Sequence, residues 1–224
     1  MQLGKLIDVS DLHCQAFCEY EIYLRDVLHI PDPGAPELDE GRAVHSELDL
    51  QSVIASQVTT IQRLAEGKPI PESVPEVAQI ARDEKITYET RDLVVAGKRL
   101  KGRIDQVNFT PTQIYIIDDK PPSPTGKPYI AETRQTQGYC LAFNQQYPTL
   151  GLPLVAVIRN KYTEEEMWSK LFTQGDAIQV NEAVDRIVGI IEGTWKPQDT
   201  ENPRKCCGCR WHPVCSRNKC REAC

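Results

Sequence analysis

No apolar run in this 224-residue sequence is long enough to span a bilayer, which excludes a membrane-embedded role. The first residues, Met1 to Asp11, lack the basic start and apolar stretch of a secretory leader. A cytoplasmic chain is therefore expected. Internal repeats and low-complexity segments are absent as well. The length rules out a large multidomain machine and allows one core, or one domain with a small appendage. Positive charge is in deficit, with 26 Lys and Arg against 32 Asp and Glu and a net charge of -6. That balance argues against a protein that coats nucleic acid nonspecifically, because phosphate binding draws on excess cations. The 40% hydrophobic and 26% charged content fits a globular protein.

Cysteine, by contrast, is plentiful: there are nine. A reducing cytoplasm does not sustain disulfides and an odd count leaves one thiol over, so metal or cluster ligation is the expected use. Charge is also unevenly spread. Arg204, Lys205, Arg210, Arg217, Lys219 and Arg221 occur with no acid among them, and Arg99, Lys101 and Arg103 precede Asp105. Both a basic groove and ordinary solvated charge fit this pattern.

Along the chain, Ser10 reads as an N-cap for a helix to about Leu28, with Phe17, Tyr20, Leu24 and Val27 at helical spacing. That helix would carry Cys14 and Cys18 on neighbouring turns. A proline-rich break at Pro31 to Pro36 precedes a predicted helix from about Glu40 to Ala65, and Pro69 to Pro75 form another loop. From Lys85 to Asp118 the period becomes strand-like, in ITYET, DLVVAG, RLKGRIDQVNF and QIYIID, with turns at Ala96-Gly97-Lys98 and Thr110-Pro111-Thr112. This predicts an antiparallel meander. A helix from about Ala131 to Tyr147 and the apolar strand Leu154 to Asn160 follow, which suggests a right-handed crossover and a mixed sheet. A last helix, about Asp176 to Glu192, leads into the cysteine-rich tail.

The chemistry concentrates in GRID (Gly102 to Asp105) and IIDDK (Ile116 to Lys120). Strand side chains alternate faces, so Asp118 and Lys120 share one face and Asp119 takes the other. If the two strands pair, Asp105 lies beside Asp118. Two adjacent carboxylates repel unless a divalent cation neutralises them. Such an ion would orient a phosphate, activate water and stabilise transition-state charge, with Lys120 adding a positive charge nearby.

This arrangement resembles the PD-(D/E)xK nuclease superfamily, whose core is a mixed central β-sheet flanked by helices. Gly41-Arg42-Ala43-Val44-His45 is similar to the glycine-then-histidine motif of its RecB-like branch, which implies His45 as a further metal ligand. Gln135 and Tyr139, four apart on one helical face, resemble that branch's Gln-x-x-x-Tyr motif. The resemblance implies that Gln135 positions the active site and that Tyr139 approaches DNA, by base stacking in one reading. It also implies Asp105, Asp118, Lys120, Gln135 and Tyr139 as the catalytic set, with Mg2+ or Mn2+ as the metal. After Asp118 the family commonly has an apolar residue and uses the backbone carbonyl there as a ligand. Asp119 stands at that position and is named as a metal ligand through its carbonyl, although its carboxylate would compete for the ion.

The tail contains Cys206, Cys209 and Cys215 as Cys-x2-Cys-x5-Cys, three thiolates short of one ligand. RecB-like nucleases with an iron-sulfur cluster take the fourth cysteine from the N-terminal helix, and Cys18-Glu19-Tyr20-Glu21-Ile22-Tyr23-Leu24 is similar to that motif. The resemblance thus implies a 4Fe-4S cluster on Cys18, Cys206, Cys209 and Cys215. It divides the chain into a nuclease domain over residues 1–200 and a cysteine-rich segment over residues 201–224. Zinc on Cys206, Cys209, His212 and Cys215 is the competing chemistry. Cys207, Cys220 and Cys224 are spare in either scheme. Cys140 reads as a buried apolar residue, and Cys14 lies one turn before Cys18.

Size, motif order and the split cysteine pattern resemble those of the exonuclease family of CRISPR adaptation. That implies single-stranded DNA or overhangs as substrate, 5' to 3' in several members, with the CRISPR integrase complex as a partner and homo-oligomers as one form. A RecB-type repair or viral nuclease remains open, as does a noncatalytic DNA-binding adaptor with the same fold.

Overall fold

Among the described residues, five strands from position 88 onward and a short one near the N-terminus build a six-stranded mixed sheet, its central strands carrying the apolar residues. The computed structural model describes residues 6–33, 88–110 and 112–220. The predicted helix over 40–65, His45, the loop over 69–75, Pro111 and Cys224 lie outside the described residues.

The strands are β1 (Ile7–Asp8), β2 (Tyr88–Ala96), β3 (Leu100–Phe109), β4 (Ile114–Lys120), β5 (Leu154–Asn160) and β6 (Glu166–Leu171). The expected meander is present: β2 pairs antiparallel with β3, and β3 antiparallel with β4. Helix α3 (Ile130–Gln146) then carries the chain back so that β5 lies parallel to β4. The α/β fold is therefore as expected, a mixed sheet flanked by helices. Two strands were not expected. β1 is two residues long and pairs parallel with Leu100 and Lys101. β6 runs along one side of β5 with mostly exposed residues, so its sequence has no buried apolar alternation.

The N-terminal helix departs from expectation. α1 spans Val9–Phe17 with Asp8, not Ser10, at the N-cap, and the chain extends at Cys18. Helical structure resumes as α2 over Tyr20–Ile22, continued by a π turn over Tyr23–Val27. Apolar spacing runs through the break, so periodicity alone hides it. Long-range bonds fix it: Glu19 accepts both guanidinium nitrogens of Arg186 and the amide of Gln198. Cys14 and Cys18 are thus not on consecutive turns of one straight helix.

α1 and α3 pack closely at Gly138, where a Cβ would overlap Leu12. α4 (Gln174–Ile191) starts in a capping box, the Thr173 hydroxyl accepting from the Asp176 amide while the Thr173 amide donates to the Asp176 carboxylate. The main core gathers Leu12, Ile104, Val107, Ile116, Phe143 and Ile187 between sheet and helices. The tail helix α5 (Pro203–Cys207) packs back on the N-terminal helices: Lys205 donates to the Phe17 carbonyl, and the Tyr20 hydroxyl meets Ser216.

Candidate active site

Gln106 pairs with Ile117 across β3 and β4, so the next step of the ladder sets Asp105 beside Asp118. Asp118 is 2% exposed and faces α3. Its Oδ2 accepts the Thr136 hydroxyl at 3.1 Å and lies 3.0 Å from Lys120 Nζ. Lys120 also donates to Gln135 Oε1 at 3.0 Å, and Gln135 Nε2 donates to the Tyr139 hydroxyl at 3.3 Å. One hydrogen-bonded chain therefore links Asp118, Lys120, Gln135 and Tyr139. Asp105 joins from the neighbouring strand, its Oδ2 accepting the Asp119 amide at 2.7 Å.

Alternation separates the two acids of IIDDK as expected. The Asp119 carboxylate receives both Nε and Nη2 of Arg159, at 2.7 and 2.8 Å, from its in-register partner position on β5. Asp119→Asn is accordingly expected to keep nuclease activity within about twofold while losing about 1 to 3 kcal/mol of stability as the charge-assisted fork is weakened. Parallel cleavage assays and denaturant melts check this. A dead but stable variant would shift the reactive face by one residue.

Burial pushes the Asp118 carboxyl up from its ordinary range to about 6; Lys120 opposes this, and neighbouring Asp105 adds to it. A buried carboxylate beside a second one favours a nearby cation. Residues 8–216 match the PD-(D/E)XK nuclease superfamily. The chain belongs to that superfamily.

Among solved structures, this superfamily member is similar to SSO0001 at 16% identity, over 95% of this chain and 87% of that one, with a TM-score of 0.42. It is similar to a candidate exonuclease from Eubacterium rectale at 16% identity, over 88% and 85% of the two chains, TM-score 0.42. The alkaline exonuclease LHK-Exo from Laribacter hongkongensis is similar at 12% identity, over 84% and 89%, TM-score 0.37. No curated protein sequence gives a significant match.

Nucleases of this superfamily usually use Mg2+ or Mn2+. Asp105 and Asp118 supply hard oxygen donors of the right kind. Among the described residues, however, no group of three or more His, Cys, Asp or Glu side chains is arranged to hold a metal ion, and His45 lies outside them. Tyr139 lies deeper than a DNA-facing residue would be expected to. Its side chain is buried at 7% exposure with the ring close over Gly102, where a Cβ would come within 2.8 Å of Cε1. Its hydroxyl anchors Gln135.

Four cysteines face one cavity elsewhere, although they too are not spaced as a metal site. Cys18, Cys206, Cys209 and Cys215 line one largely apolar cavity between α2 and the tail. Amides of Tyr20 and Thr200 donate toward the Cys18 sulfur, that of Trp211 toward Cys209 and that of Arg217 toward Cys215. Burial pushes the Cys209 thiol up to about 12, and also raises Cys18 and Cys215. Trp211, another wall, is 1% exposed, and its indole N–H has no acceptor among the described residues. His212 lines the cavity too but is exposed to solvent. Cys14 is absent from this wall and opens on a different cleft, and Cys140 is fully buried as expected. The expectation of no disulfide is corrected: Cys207 and Cys220 are bonded, their Cα atoms 4.8 Å apart. Spacing gave no sign of this, because the chain turns back between them.

A cleft of about 550 Å³ runs from Lys120 and Gln135 past α1 to Arg210. Three side chains in and around the site were not expected from the sequence. Thr136 touches Asp118 directly. Arg159 neutralises Asp119. His13 lines the cleft and stacks on Phe17. Only His13 carried a sequence signal, since Ser10, His13 and Phe17 recur at helical spacing.

Proposed function

We infer that this protein is a metal-dependent deoxyribonuclease of the RecB-like branch, acting as an exonuclease on single-stranded DNA or overhangs. The observation that carries the reading is the bonded chain from Asp118 through Lys120 and Gln135 to Tyr139, with Asp105 alongside. These are the residues the superfamily's motifs require, drawn from two strands and one helix. Asp105, Asp118 and the Asp119 carbonyl, with His45, would hold Mg2+ or Mn2+, which when bound lowers the pKa of its water and offsets phosphate charge. Lys120 holds a positive charge at the mouth of the site, where it can meet the scissile phosphate. Gln135 fixes the Lys120 ammonium, and Tyr139 fixes Gln135.

Cys18, Cys206, Cys209 and Cys215 would hold a 4Fe-4S cluster. Support comes from their shared cavity, the amides aimed at their sulfurs and the unpartnered Trp211 N–H. The cluster would join a nuclease domain over residues 1–200 to the segment over residues 201–224 as a structural staple, since hydrolysis needs no electron transfer. The likeness to CRISPR-adaptation exonucleases supports a cytoplasmic role in trimming DNA ends, 5' to 3', before spacer integration. In that setting the integrase complex would be the partner, and homo-oligomers one working form. No helix among the described residues is long and apolar enough to cross a membrane.

The test uses single-stranded, overhang and blunt duplex oligonucleotides labelled at either end, with Mn2+, Mg2+ or chelator. Metal-dependent shortening of single strands and overhangs is expected, and blocking the 5' end should stop it. Equal digestion of blunt duplex would overturn the single-strand reading. Gln135→Ala and Tyr139→Phe are expected to slow cleavage roughly 10- to 100-fold, as outer-shell changes at metal sites do. Wild-type rates in both would reduce the pair to packing.

A further inference from the structure

The cleft beside Lys120 has an aromatic wall that the catalytic reading does not use. Ser10, His13 and Phe17 form one face of α1 along it. The His13 and Phe17 rings lie nearly parallel, 10° apart with centroids 6.2 Å from each other. Lys205 Nζ sits 5.1 Å from the Phe17 ring centroid, which makes a cation–π contact at that end of the stack. Phe17 is also a wall of the cysteine cavity, so the stack is braced from behind by the tail. His13 is half-buried and lines the cleft, and burial first, then the nearby Lys120, Arg210 and Lys205, disfavours an imidazolium there. The result is a neutral planar ring flanked by cations.

We propose that His13, backed by Phe17, is a nucleobase platform that seats one unpaired base of the substrate strand beside the Lys120 site. The inference rests on the reading of this site as a nuclease. Three features point to that ligand. A parallel aromatic pair offers a π-face with no sequence preference, which suits any base. Lys120 and Arg210 both line the cleft, paired with Asp118 and Asp32 respectively, and bring positive charge to where flanking phosphates would lie. A volume of about 550 Å³ is that of a pocket for one small molecule, which leaves room for one nucleotide. The platform would thus impose preference for single strands.

The experiment measures binding of full-length, anaerobically purified protein to a fluorescent single-stranded oligonucleotide with Ca2+ replacing Mg2+, followed by cleavage kinetics with Mn2+. His13→Leu is expected to bind roughly 5- to 150-fold more weakly, which is a base–aromatic stack of about 1 to 3 kcal/mol at tenfold per 1.4 kcal/mol. KM should rise with kcat little changed. His13→Phe should bind like the wild type. A set of oligonucleotides with one abasic site at successive positions should include one that weakens the wild type and His13→Phe but not His13→Leu. Wild-type affinity for His13→Leu, or abasic losses identical in all three proteins, would overturn the platform. If His13→Leu fails to fold, the abasic comparison between the wild type and His13→Phe still decides: no position-specific loss in either overturns it. A wild type that binds single strands without ever cutting them would instead defeat the nuclease reading.

Discussion

Asp118→Ala is expected to lower the rate of DNA cleavage on the order of 10³-fold or more, because under the proposed function it would remove a carboxylate that holds the metal ion, and such an ion supplies several kcal/mol of transition-state stabilisation. Asp105→Ala and Lys120→Ala should act in the same way, with circular dichroism unchanged. The isosteric Asp118→Asn adds a second, opposite effect. Folding raises the Asp118 carboxyl from near 3.8 to about 6, so in metal-free protein the folded state binds the extra proton between those values. Stability from this group therefore falls as pH rises from about 4 to about 6, and stays lower above. The difference corresponds to about 3 kcal/mol. Asp118→Asn in chelator should consequently melt higher than the wild type near pH 8, and that advantage should vanish near pH 4. A variant that is inactive and also less stable at pH 8 would place Asp118 in a structural ion pair with Lys120 instead.

Cys18→Ala is expected to produce the largest loss of stability. The proposed cluster would join residue 18 to residues 206–215 and close nearly the whole chain, and a cross-link of that span contributes on the order of 5 kcal/mol in the chain-entropy model. That approaches the stability of an entire domain. Anaerobically purified wild type should be brown, and Cys18→Ala should lose iron and melt well below it, with activity falling as a consequence. Cys14→Ala is the control, because Cys14 faces the cleft and not the cysteine cavity; it should keep its iron. Cys207→Ala breaks a disulfide outside that cavity and should keep its colour as well. Stoichiometric zinc with no iron, unaffected by Cys18→Ala, would transfer the site to His212.

The strand pair and its chemistry were legible in the sequence because side-chain alternation is local. GRID and IIDDK needed only an antiparallel pairing to bring Asp105 to Asp118, and the same rule sent the Asp119 side chain to the other face, although its partner there, Arg159, was not foreseen. Gln135 and Tyr139 were legible for a similar reason, since four residues make one helical turn. What remained hidden depends on distant contacts. The break at Cys18 is held by Arg186 and Gln198, more than 160 residues away. Enclosure of Tyr139 depends on Gly102 from another element. Pairing of Cys207 with Cys220 requires the course of the tail, which no spacing rule specifies. β6 escaped because an exposed strand carries no apolar period.

The most direct measurement of the central claim is the rate at which wild type and Asp118→Asn release nucleotides from an end-labelled single-stranded oligonucleotide in Mn2+, with chelator as reference. The bonded arrangement of Asp105, Asp118 and Lys120 predicts rapid release by wild type alone, abolished by chelator, and none from a folded Asp118→Asn. Metal-independent release by the wild type, or equal release by both proteins, would contradict it.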